Sequence, residues 1–345
     1  MEIGIFTFAD VATTSGGIDP ARRIPELIEE IVLADQVGLD VFGIGEHHRA
    51  GFAAPAPVVI LAAAASRTQC IRVTSAVTVL STDDPVRVFE QFAALDLISG
   101  GRAEIMAGRG ALLDSFYLFG HDPADYDALF AEKLELLLAL RADAPVTWSG
   151  RFRSPLEGVR ILPRPLQPTL PIYLAVGGTM QSVIRAGRLG LPLALAMLGG
   201  HPRQFAPMFD LHRQVLAQSG HAPQPAAITV HGFVADSAKQ AADIYYPGDA
   251  DLFNLIGKEH GLPPATRRDF DAKIGRDGAY VLGSPDEVIE KILSLHQMYA
   301  HQRTLIQLAV GSVPHSSLMR AIELLGTKVV PAVKAELEAR QPRSQ

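Results

Sequence analysis

The sequence predicts an α/β fold, a (β/α)8 TIM barrel with insertions. Three observations predict it. Apolar runs of strand length alternate with amphipathic runs of helix length along the chain. The alternation repeats eight times, and eight repeats favour closure over an open sheet with two unpaired edges. The length of 345 residues is ordinary for a barrel with insertions. A doubly wound open sheet is the rival architecture.

The first strand is Ile3 to Phe8. Pro20 then opens a helix that Asp19 is placed to cap, with Leu27, Ile31, Ala34 and Val37 recurring on one face, and Gly38 ends it. Val41 to Ile44 is the second strand, Pro57 to Arg67 a helix, and Ile71 to Val77 the third strand. Asp84-Pro85 starts a helix reaching Ile98, and the turn at Ser99-Gly100-Gly101 leads into the fourth strand, Ala103 to Ala107. Asp125 to Arg141 has helical period through Leu129, Lys133, Leu136 and Leu140. Residues 145–168 break the rhythm, and the short runs Val146-Thr147-Trp148 and Val159-Arg160-Ile161 predict an inserted hairpin there.

The fifth strand is Ile172 to Val176 and its helix runs to Leu189; the sixth is Leu193 to Ala196, with a helix from Arg203 to Ser219. The seventh is Ile228 to Val234. Asp236 to Tyr280 is then longer than an ordinary connection, carries glycines, prolines and mixed charge, and reads as an irregular, lid-like insertion. Pro285 opens a helix to Met298, Leu305 to Val310 is the eighth strand, and a last helix passes through Glu323 and Val333. One domain spanning 1–340 is expected, with the tail after Leu337 loosely held.

Composition narrows the function classes. Hydrophobic residues make up 48% and charged residues 20%, enough for a large core and against wholesale disorder. A net charge of −6 disfavours nucleic acid as a partner. The single cysteine, Cys70, permits no internal disulfide and fits a reducing compartment, so a cytoplasmic location is expected. The N-terminal segment lacks the pattern of a signal peptide, and no uncharged apolar run approaches the ~18 residues of a membrane span.

Three stretches carry chemistry. Val41 to Ile44 delivers Glu46-His47-His48 to a strand end, where α/β enzymes place reactive groups. Residues adjacent in a strand face opposite ways, so His47 and His48 should not share one ion, and no metal is expected. One histidine, as acid, base or hydrogen-bond donor, is the better reading; a capping or ion-pair cluster is the plainer one. Gly108-Arg109-Gly110 puts an unobstructed guanidinium past the fourth strand, suited to a phosphate fork or simply a surface turn. Gly177-Gly178-Thr179-Met180-Gln181-Ser182 opens the fifth helix with glycines and hydroxyls, suited to an anion at a helix start, with Thr179 also able to serve as a cap. No lysine follows the glycines as in a Walker sequence, and the spacing is not GxGxxG. A phosphate monoester is the natural guest.

The chain resembles the bacterial-luciferase-like family of flavin-dependent oxidoreductases over nearly all of its length. The resemblance rests on Gly43-Ile44-Gly45-Glu46-His47-His48, on Val79-Leu80-Ser81-Thr82 before Asp84-Pro85-Val86-Arg87, and on Gly100-Gly101-Arg102-Ala103-Glu104 leading to Gly108-Arg109-Gly110. It continues through Leu162-Pro163-Arg164-Pro165, Gly177-Gly178-Thr179 with Leu189-Gly190-Leu191-Pro192, and Val281-Leu282-Gly283-Ser284-Pro285. The resemblance implies a barrel that binds FMN at its C-terminal mouth and uses reduced flavin and O2 to oxygenate a small organic substrate. By position it implies Arg109, Gly178, Thr179 and Ser182 on the FMN phosphate, His47 as the active-site histidine and His48 as its neighbour. Ala76-Val77 falls where the family often has a non-prolyl cis peptide beneath the flavin ring. Gly108 and Leu112 depart from true luciferase, which has a cysteine and a nearby aromatic there, so light emission and long-chain aldehyde oxidation are not expected.

The leading expectation is an FMN-dependent monooxygenase whose reduced FMN diffuses in or comes from a separate reductase, since no dinucleotide fingerprint is present. The alternatives are a deazaflavin-dependent hydride-transfer enzyme and a flavin-binding protein without turnover. The resemblance also implies a homodimer, for which the apolar second helix and Phe89 to Leu97 could supply the interface.

Overall fold

The computed structural model describes residues 1–11, 17–259, 263–311 and 313–340. β1 (Glu2–Thr7) leads to α1 (Pro20–Gln36), whose cap Asp19 accepts from Ala21 N. β2 (Val41–Ile44) is followed by α2 (Pro57–Ala65), β3 (Arg72–Ser75) and the two-residue β4 (Thr78–Val79). Asp84 caps α3 (Pro85–Ser99) by accepting from Val86 N and Arg87 N, and Gly100 ends that helix at φ 69°, a left-handed turn open to glycine. β5 (Ala103–Gly108), α4 (Asp114–Leu118) and α5 (Tyr126–Leu140) come next. β6 (Val146–Trp148) pairs antiparallel with β7 (Leu156–Val159). The chain continues through β8 (Ile172–Val176), α6 (Met180–Arg188), β9 (Leu193–Met197), α7 (Ala206–Gln218) and β10 (Ala226–Val234). Then come α8 (Ala238–Glu259), α9 (Arg267–Ile274), β11 (Val281–Gly283) and α10 (Pro285–Tyr299). β12 (Arg303–Gln307), α11 (His315–Leu324) and α12 (Val330–Arg340) finish it, with one π turn between the last two helices.

Eight of the strands pair in parallel in the order β1, β2, β3, β5, β8, β9, β10, β12, and β12 pairs back to β1. The sheet is therefore closed, a (β/α)8 barrel. Alternation along each strand sends Phe6, Val41, Met106, Tyr173, Ala194 and Leu305 into the barrel. Their neighbours Ile5, Phe42, Ile105, Leu174 and Ile306 face outward into the larger core beneath the helices.

The N-terminal end of the barrel is closed by charge. Arg303 on β12 donates to both carboxylate oxygens of Glu104 on β5, at 2.6 and 3.1 Å, and through Nε to Glu2 at 2.7 Å. Its guanidinium also lies over the Tyr173 ring, 4.5 Å from the centroid. The C-terminal end is left to the loops.

The structure departs from the sequence expectation at several elements. Residues 236–280 are not irregular: α8 and α9 occupy most of them, and β11 extends the β10 edge. The prolines and glycines of that stretch misled, because Pro247 is accommodated within α8 and Gly248 is pressed against Val310 and Gly311. The second hairpin strand lies at Leu156–Val159, three residues earlier than expected. The last barrel strand stops at Gln307, three residues short of Val310, and α4 was not anticipated. α12 runs to Arg340, so the first residues of the expected loose tail are helical, and 341–345 lie outside the described residues.

Candidate active site

Glycines shape the mouth. Gly43 and Gly45 follow each other at alternate positions as β2 ends, and a Cβ on either would meet Ala76, at 2.8 Å from its Cβ or 2.7 Å from its carbonyl. A Cβ on Gly108 would lie 2.6 Å from Val77 Cγ2. These three positions leave room for the Ala76–Val77 segment to bend over the barrel end, and the peptide bond between those residues is cis. Ala76 N donates to Ile44 O, and Val77 O accepts from Glu46 N, so the bend is fastened to the strand that carries the histidines.

β2 ends at Ile44, and regular alternation ends with it. Consequently strand alternation does not separate His47 from His48. Both line one cavity of about 160 Å³ at the C-terminal mouth, walled by Phe6, Phe8, Ala76, Val77, Met106 and Ala196 among others. His47 is wedged edge-on against Phe8, centroids 4.4 Å apart, and stacked on Phe52, also at 4.4 Å. Burial pushes its pKa down to about 4, with the Arg49 and His48 charges adding to the effect. At neutral pH it is an uncharged hydrogen-bonding ring. His48 instead has an acidic partner: its Nε2 lies 2.8 Å from Glu46 Oε1. Glu46 Oε2 accepts from Val79 N at 2.9 Å, fixing the carboxylate from its other side.

A candidate anion-binding group assembles on β5 and α6. Arg109, just past β5, donates through Nη2 to Ser182 Oγ at 3.2 Å and through Nη1 to Asp127 Oδ1 at 2.6 Å. Thr179 Oγ1 donates to Ser182 Oγ at 2.8 Å. Thr179 holds the N-cap position of α6 yet makes no side-chain cap bond, so no side chain satisfies the first N–H groups of that helix. Gly178 has φ 102°, and neither Gly177 nor Gly178 has an atom within 4 Å of where a Cβ would stand. Free N–H groups, two hydroxyls, an open glycine face and a guanidinium fit a phosphate. The 160 Å³ cavity is below the roughly 300 Å³ of an ordinary ligand pocket, so it admits only the reactive end of a large cofactor.

The structure brings Arg109, Thr179 and Ser182, grouped by the sequence reading, into contact, and adds three partners that reading did not name. Tyr126 carries the Arg109 guanidinium over its ring at 5.2 Å and donates its hydroxyl to Gly110 O. Asp127 pairs with the same arginine, and Glu46 was read as part of the motif but not as the partner of His48. Nothing in the local sequence at the start of α5 signals Tyr126 or Asp127 as partners of Arg109. Among the described residues no group of three or more His, Cys, Asp or Glu side chains could hold a metal ion, and no helix is long and apolar enough to cross a membrane.

Residues 1–302 match the family described as luciferase-like monooxygenase. The 4-hydroxyprotoasukamycin monooxygenase of Streptomyces nodosus subsp. asukaensis is 28% identical over 341 residues, covering 93% of this chain and 90% of that protein. The F420-dependent glucose-6-phosphate dehydrogenase of Amycolatopsis mediterranei is 30% identical over 174 residues, 48% of this chain and 51% of that protein. The crystal structure of monooxygenase RslO1 from Streptomyces bottropensis superimposes with a TM-score of 0.84 at 25% identity, covering 96% of this chain and 99% of that one. On the match over residues 1–302, the chain belongs to the luciferase-like monooxygenase family.

Proposed function

We propose that this protein is an FMN-dependent monooxygenase that oxygenates a small organic substrate with O2. One observation carries the reading: a phosphate-shaped group, Arg109 with Thr179, Ser182 and the open Gly178 backbone, stands on the same barrel mouth as the apolar cavity holding His47 and His48. Bound reduced FMN would supply the electrons that activate O2. The chain's own residues do the rest. Arg109 and the α6 start hold the phosphate, and Ala76–Val77 supports the ring. Phe6, Phe8 and Met106 keep water from the reacting atoms. His47, uncharged, offers a hydrogen bond. α8 and α9 stand after β10 and are assigned the part of a cover over the mouth.

Reduced FMN is drawn from solution or from a separate reductase. Val59, Leu97 and Ile98 stand exposed on α2 and α3. They fit a homodimer joined through those helices, and the location we assign is cytoplasmic. A deazaflavin-dependent hydride transfer is the second reading, supported by the F420-dependent relative that matches 48% of the chain. Anaerobic titration with reduced FMN and, in parallel, a reduced deazaflavin tests the two. Selective FMN binding supports oxygenation, preference for the deazaflavin moves the assignment to hydride transfer, and binding of neither removes both.

A further inference from the structure

The mouth cavity is smaller than what it is proposed to hold. At about 160 Å³ it takes only part of a three-ring system, and the rest can follow only if a wall yields. Most of that wall is barrel strand, closed on itself and rigid. The segment 111–119, after β5, is not. It contributes Ala111, Leu112, Asp114 and Ser115 to the lining.

This segment is built to move as a unit. Gly110 and Gly120 bound it, both in the left-handed region at φ 81° and 73°, where glycine turns without strain. Its backbone bonds stay within it: the N–H groups of Phe116, Tyr117, Phe119, Gly120 and His121 donate to carbonyls between Leu113 and Tyr117. Swinging the segment breaks none of them. Its outer side holds it loosely, with Tyr117 70% and Leu118 62% exposed. Side chains fasten the rest. Arg49 Nε donates to Asp114 Oδ2 at 2.7 Å, the two side chains 30% and 33% exposed. Phe116 stacks on Tyr126 with centroids 5.4 Å apart, and the Phe119 ring edge meets His48 at 5.0 Å. Ser115 Oγ is buried without a partner among the described residues, and a ligand seated in the cavity would supply one. Of residues 111–119 only Phe119 reaches the larger cavity between α2 and α3, on the face proposed for the homodimer.

α8, by contrast, is bolted to the barrel. Its buried Asp249 accepts from Lys273 Nζ at 2.9 Å and from Tyr280 Oη at 2.6 Å, and its Tyr245 hydroxyl donates to Gln307 O at 3.0 Å. It can roof the mouth, but opening it would strand buried charge.

We propose that residues 111–119 form a gate, hinged at Gly110 and Gly120 and latched by the Arg49–Asp114 pair, that swings aside to admit the flavin ring to the mouth cavity. The inference rests on the reading that the ring seats there. Tyr126 ties the gate to the phosphate site. Its ring contacts both Phe116 of the gate and the Arg109 guanidinium, and its hydroxyl donates to Gly110 O at the hinge. A phosphate held by Arg109 steadies Tyr126 and, through it, the shut gate. The cofactor's tail thereby closes the door behind its ring.

Amide hydrogen exchange read by mass spectrometry tests the gate. In the flavin-free protein, amides of 111–119 are expected to exchange at least about tenfold faster than those of α5. Asp114→Asn is expected to speed them a further two- to fivefold or so, the range for a partly exposed ion pair, and to leave α5 unchanged. Oxidised FMN is expected to slow exchange at 111–119 about tenfold, and riboflavin, which has no phosphate, to slow it less at equal occupancy. In stopped-flow fluorescence, Asp114→Asn is expected to bind FMN about two- to fivefold faster, because more of the protein stands open. Exchange at 111–119 as slow as in α5, or unmoved by Asp114→Asn, overturns the proposal. So does protection by FMN that falls on 238–274 and spares 111–119, and equal protection by riboflavin removes the link through Tyr126. Failure to bind FMN would count against the proposed function, and the flavin-free comparison would still decide the latch.

Discussion

In the proposed function, phosphate binding turns on Arg109. In the free protein it is shared between Ser182 and the exposed carboxylate of Asp127, an ion pair that solvent screens. A dianionic phosphate would outcompete Asp127 for it. Arg109→Ala is expected to weaken FMN binding about tenfold or more, consistent with roughly 1.5–3 kcal/mol for a charged hydrogen bond. Unchanged affinity in a fluorescence titration would remove Arg109 from the site. Asp127→Ala should leave binding equal or slightly tighter. The sequence disclosed Arg109 because glycines flank it at a strand end. It did not disclose that His48 pairs with Glu46, because periodicity applies only inside a strand and β2 stops at Ile44. The depressed pKa of His47 was equally hidden, since it arises first from burial, with Phe8 and Phe52 packed on the ring, and then from the Arg49 and His48 charges.

At the scale of elements, glycines decide how closely the segments at the mouth approach. Gly108 ends β5 directly against Val77, and a methyl group there would sit 2.6 Å from Cγ2. Gly108→Ala is expected to destabilise the fold by about 1–3 kcal/mol. Adding Val77→Ala should restore most of the loss, and a double-mutant cycle by thermal unfolding checks the coupling. A further contact joins loops. Asp10, just past β1, accepts from Gly311 N at 3.0 Å while its backbone bridges Phe52, the ring beneath His47. Its other oxygen is buried without a partner among the described residues, and burial raises its pKa to about 7. The folded protein therefore holds a proton between pH ~4 and 7 that the unfolded chain has lost, and stability falls as pH rises through that window. Asp10→Asn is expected to raise the melting temperature relative to wild type more at pH 8 than at pH 5; an equal difference at both would contradict the shift. None of this was readable from an Asp in a loop. The long helices were readable, because α1, α3 and α10 carry their caps in sequence as Asp19-Pro20, Asp84-Pro85 and Ser284-Pro285. α8 escaped because a proline and two glycines outweighed its period.

For the whole molecule, closure was legible from eight repeats, but the plug that seals the N-terminal end was not. It joins Glu2, Glu104 and Arg303, far apart in the chain. Arg303 and Glu104 are both almost fully buried, so removing one partner strands the other. Arg303→Met is expected to cost about 3–5 kcal/mol, seen as an earlier urea midpoint. Replacing Glu104 as well should recover part of it. A loss under about 1 kcal/mol for Arg303→Met alone would show that Arg72, 3.1 Å from Glu104, suffices as its counter-ion.

The pairing of β1 with β12 also sets an order of events during synthesis. Glu2 meets Arg303, and Ile5 meets Ile306, about three hundred residues later. Until the ribosome has delivered β12, β1 and β10 each wait with an unpaired edge, because β12 is the strand that lies between them. Any sheet formed on a nascent chain of this protein thus stays open until its last strand is made, and open edges are the condition in which chains recruit chaperones or one another.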